Sequence, residues 1–119
     1  MRTPILAAVT AVALAFSSAA ALAQQKIKIG FITTMSGPQG VIGGYMKDSV
    51  ELALDHLGRK VGGLETEVIY GDDQTKPDVG VQVAEEMLKK HNVDIVAGII
   101  WSNVMLAVQP VVNLSLIHI

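Results

Sequence analysis

A chain of 119 residues makes one small domain at most, with little core to spare. Its net charge of −2 excludes the clustered basic surface that nucleic acid or an anionic membrane requires, so no nucleic-acid partner is expected. The absence of cysteine excludes disulfides, thiolate catalysis and cysteine-based zinc sites.

The first 23 residues read as a targeting segment. Arg2 gives a positive start, and Ile5 to Phe16 is apolar apart from Thr10. Ala21-Leu22-Ala23 has the small-x-small form of a signal peptidase site, so cleavage is expected after Ala23. The apolar run is shorter than the roughly 20 residues of a spanning helix. Export out of the cytoplasm follows as an expectation, and it removes ATP and NAD pools from the protein's surroundings. The exported part keeps eight basic against eleven acidic residues, a net −3.

Lys26 to Thr33 alternates and then turns wholly apolar, as a strand entering a buried parallel sheet does. Thr34 to Gly44 contains four glycines and a proline and reads as a loop. Met46, Val50, Ala53, Leu54 and Leu57 predict one face of a helix that stops at Gly58, and Gly62-Gly63 a turn. Glu67 to Tyr70 predicts a second strand, ending at Gly71-Asp72-Asp73. Thr75 followed by Asp78 resembles an N-cap, with Val79, Val83, Ala84, Met87 and Leu88 facing inward on a second helix. Asp94 to Ile100 predicts a third strand. Ser102 or Asn103 can then cap a third helix that reaches about Gln109, where Pro110 disfavours continuation. The order βαβαβα predicts an α/β fold, a parallel sheet with helices on both faces.

In such sheets ligands bind beyond the carboxyl ends of the strands. Three loops meet that condition: Thr34–Gly44, Asp72–Pro77 and Ile100–Asn103. Ser102 and Asn103 are small polar groups at a helix start, where side chains and free N–H groups can hold a carboxylate or merely cap the helix. Trp101, the only tryptophan, is either a pocket wall or core packing. The glycines of the first loop are spaced G-x-x-G-x-x-G, which matches neither the dinucleotide fingerprint nor a phosphate-binding P-loop. Ser36 and the backbone there can approach a ligand closely. Asp72-Asp73 reads as solvated or helix-capping. His56, His91 and His118 have no metal spacing, so neither a metal nor a cofactor is expected. No nucleophile–base pair marks the segment as an enzyme.

Lys28-Ile-Gly30 with Met35-Ser-Gly-Pro38, Tyr70-Gly-Asp-Asp73 with Lys76-Pro77, and Val96-Ala-Gly98 followed by Ser102 resemble the N-terminal third of leucine/isoleucine/valine-type periplasmic binding proteins. The resemblance implies a type I periplasmic-binding-protein lobe, here incomplete. Two such lobes close on a small ligand, and the closed form docks on the membrane permease of an ABC importer. It implies that Ser102 holds the ligand carboxylate and that Ile100 lines the pocket. Ile42 stands where a bulky aromatic often covers the ligand, and Trp101 where a small residue is usual. Ile100-Trp-Ser-Asn103 resembles the subgroup that takes up aromatic carboxylates more than the leucine binders. Residues 1–23 are thus expected to be the signal peptide and 24–113 part of the first lobe. Residues 114–119 resemble the translation of a sequencing adapter and are expected to be non-native, the other reading being a fourth strand. The competing function is a ligand-sensing domain of a signalling receptor with the same fold.

Overall fold

The structure is a computed structural model, and it describes residues 26–116. The targeting segment and the end of the tail, 117–119, lie outside the described residues.

Strand β1 (Lys26–Thr33) is the hub of the sheet. It pairs in parallel with β3 (Leu64–Asp72) on one side and with β4 (Ile95–Ala97) on the other. The sheet order is β2-β3-β1-β4, where β2 is the two-residue strand Lys60–Val61. That strand departs from the all-parallel expectation, because it folds back antiparallel on Leu64 and Glu65. Gly62 and Gly63 make the turn with φ +60° and +81°, a left-handed pair that glycine adopts without a Cβ clash. β3 runs well beyond the Glu67–Tyr70 of the sequence pattern, at both ends.

Helix α1 (Gly40–His56) lies on one face of the sheet. On that face Phe31 meets Tyr70 edge-on at 5.8 Å, and the Thr33 hydroxyl reaches Met46. The buried stripe is narrower than the sequence pattern predicts. Leu54 is buried and Met46 and Val50 are half-buried, but Ala53 and Leu57 are exposed. Leu57 falls outside the helix, which ends as Gly58 turns to φ +62°.

The opposite face holds the core. Helix α2 (Pro77–Glu86) continues as a widened π-helical turn, Met87–His91, and α3 (Ser102–Leu116) packs beside it. Ile32, Ala84, Met87, Val93, Val104 and Val108 form one buried cluster. α2 and α3 approach closely at Gly80, where an added Cβ would stand 2.6 Å from Val104 Cγ1.

Two expectations about the ends of helices need correction. The N-cap of α2 is Lys76, without a side-chain cap, and Thr75 sits in the preceding turn with φ +62°. Helix α3 does not stop at Pro110 but runs on to Leu116, so 114–116 is helical and not a fourth strand. Pro110 is exposed, while Val104, Val108 and Val112 continue the core stripe at four-residue spacing. Packing along that stripe overrides the local cost of proline.

Candidate functional site

The carboxyl ends of β1, β3 and β4 open on one rim, as parallel pairing on both sides of β1 requires. Three loops follow these ends, and side chains tie them together. Trp101 Nε1 donates to Thr34 Oγ1 at 2.9 Å, and the Thr34 hydroxyl donates to Asp73 Oδ1 at 2.5 Å. Asp73 Oδ1 also accepts the N–H of Thr75 at 2.9 Å. Thr34 and Asp73 are fully buried. Asp73 is therefore neither the solvated group nor the helix cap that its position on a polar loop predicts. It is the internal post around which the rim is built.

Asp72 does a similar job nearer the solvent. Its Oδ1 accepts the N–H of Met35 at 2.9 Å and of Gln74 at 3.0 Å. Partial burial pushes its carboxyl up. Hydrogen bonds from the Ser36 hydroxyl and from the N–H groups of Met35, Gln74 and Ser36 outweigh that and hold it below its ordinary value. Ser36 is exposed on this loop. It also lines an open cavity of about 370 Å³ with Gly37, Gln39, Gln74, Thr75 and Lys76.

Ser102 and Asn103 open α3, and both are exposed. Neither is the cap. The first helical hydrogen bond runs from Met105 N to Trp101 O at 2.9 Å, which puts Trp101 in the capping position. Tryptophan has no acceptor to offer, because its indole nitrogen is only a donor. The first N–H groups of a helix have no partner inside it, and the first turn of α3 carries no acidic residue. The start of α3 thus presents hydroxyl, amide and backbone donors with the positive end of the helix dipole, a suitable receptor for a carboxylate.

Of the two sequence readings of Trp101, the structure shows the core packing. The residue packs against the core cluster, yet it remains partly exposed beside Ser102. Ile100 is half-buried on the same loop. Ile42 is placed differently from the expectation. It lies in the first turn of α1, not in a loop, is 42% exposed, and lines a shallow groove with Phe31, Tyr45 and Met46. Sequence reasoning missed Thr34. The available signal was two polar residues, Thr33-Thr34, directly after the apolar run Ile29–Ile32.

A profile of the periplasmic binding protein family matches residues 26–115. A Leu/Ile/Val-binding protein homolog of Brucella abortus is 31% identical over 107 residues, which cover 89% of this chain and 27% of that protein. The chain therefore spans about a quarter of the length of such relatives. A solved ABC transporter substrate-binding protein from Sphaerobacter thermophilus superposes with a TM-score of 0.71 at 33% identity, covering 76% of this chain and 24% of its own. A solute-binding protein of an ABC transporter from R. palustris, solved in complex with 4-hydroxybenzoate, gives 0.72 at 32% identity, covering 76% and 25%.

Proposed function

Because the chain belongs to the periplasmic binding protein family, we propose that it contributes part of the first lobe, residues 24–113, of an exported solute-binding protein of an ABC importer. In this reading the protein captures a small carboxylate between two lobes and delivers it to a membrane permease. It performs no chemistry on the ligand.

The observation that carries the proposal is the uncapped start of α3. Ser102, Asn103 and the first-turn N–H groups supply donors for a carboxylate. Trp101 and Ile100 supply apolar surface immediately before them. An aromatic ring bearing a carboxylate matches both halves: its charge meets the helix start and its flat body meets the indole. The R. palustris relative solved with 4-hydroxybenzoate is consistent with that ligand class. A branched-chain amino acid meets the same donors but makes poorer use of a large flat wall.

Thermal-shift screening of the full-length protein against benzoate-type acids and against leucine, isoleucine and valine tests the choice. Stabilisation by the aromatic acids is expected. Stabilisation by the branched-chain amino acids alone would overturn the ligand class. Export is tested separately, by mass spectrometry of the mature N-terminus. Gln24 is expected first, and a product retaining residues 1–23 would contradict it.

A further inference from the structure

The hydrogen bonds at the rim form a chain with only one possible sense. The indole Nε1–H of Trp101 can only donate, so Thr34 Oγ1 must be its acceptor. The single Thr34 hydroxyl proton is then free for one acceptor, and Asp73 Oδ1 takes it. Asp73 is fully buried, and its Oδ2 has no partner among the described residues, so Oδ1 carries all of its side-chain hydrogen bonding there. A buried carboxyl group pays a large desolvation penalty for each donor it loses, which makes Thr34 and Asp73 stiff partners. The three residues come from three different loops, so the chain also fixes the loops relative to one another.

We propose that Thr34 and Asp73 are positioning residues: they lock the Trp101 indole in one orientation and withdraw its N–H from ligand recognition, so that the ring offers the ligand a carbon face and no hydrogen bond. This rests on the reading of Trp101 as a wall of the ligand site. Its consequence is a division of labour along three consecutive positions. Ser102 and Asn103 recognise charge, whereas Trp101 recognises shape and apolar surface. A ligand is then selected for a flat apolar body and gains nothing from an acceptor placed against the indole.

The test begins with the ligand-free full-length protein, labelled with 15N in its tryptophan side chains. The Trp101 indole resonance is assigned by its loss in Trp101→Phe. In the wild type this N–H should exchange with solvent slowly. Thr34→Val, which keeps the shape but removes the acceptor, should speed exchange by about tenfold or more, and Thr34→Ser should restore the slow rate. Affinity for 4-hydroxybenzoate, measured on the same three proteins, should fall about tenfold in Thr34→Val and recover in Thr34→Ser. Exchange at the rate of a free indole in the wild type would overturn the proposal, and this measurement needs no variant to fold. Loss of affinity in Thr34→Val with exchange unchanged would also overturn it, since Thr34 would then be touching the ligand itself. If the wild type binds no 4-hydroxybenzoate while the N–H is protected through Thr34, the ligand assignment fails and the positioning role stands.

Discussion

The role proposed for Ser102 comes from where it sits. A serine hydroxyl on the first turn of an uncapped helix adds one directed donor to a field that already favours an anion. Ser102→Ala in the full-length protein should therefore weaken carboxylate binding by about 1.5–3 kcal/mol, the usual range for a hydrogen bond to a charged group. Titration calorimetry reads this directly, and an unchanged affinity with the fold intact would remove Ser102 from the site. A second residue-scale prediction concerns Glu51 on α1. Its carboxylate accepts the Tyr70 hydroxyl at 2.7 Å and pairs with Arg59 at 3.1 Å. The Tyr70 hydrogen bond, then the one from Arg59, hold its pKa below the ordinary 4.5. A lowered folded-state pKa stabilises the fold above the unfolded value and is lost as pH falls through the folded one. The melting-temperature advantage of wild type over Glu51→Gln should thus be constant near neutrality and shrink only below about pH 4.5. An advantage that grows on acidification would contradict the assignment.

At the scale of elements, period and punctuation made much of the fold readable. Apolar alternation located β1, and helical spacing located the buried side of α2. What escaped was decided by partners distant in the chain. β2 is two exposed residues that become a strand only by pairing across Gly62-Gly63. Pro110 reads as a stop because local cost is visible in a sequence, whereas the core stripe that carries α3 past it is a tertiary property. The helix-start donors were legible as Ser102-Asn103. The Thr34–Asp73–Trp101 chain was not, because its members lie 39 and 67 positions apart. Two changes test these elements. Pro110→Ala restores a missing N–H at an exposed helical position and should raise stability by up to about 3 kcal/mol. Gly80→Ala places a methyl group against fully buried Val104, and overpacking of about 1–3 kcal/mol should outweigh the better helix propensity of alanine. Thermal melts of the full-length variants check both, and the opposite sign in either would contradict the packing described.

At the scale of the molecule, the sheet brings three loops to one rim. Parallel strands aim all their carboxyl ends the same way, so loops distant in sequence meet without any dedicated connection. One of them carries Trp101 and the helix-start donors, another the buried Asp73, and the third Thr34, which accepts the Trp101 N–H. We propose that this rim receives a carboxylate borne on a flat apolar body. Titration calorimetry of the full-length protein with 4-hydroxybenzoate and with leucine is the decisive test. Saturable 1:1 binding of 4-hydroxybenzoate, tighter than that of leucine, is expected; tighter binding of leucine, or no binding of either, would overturn the proposal.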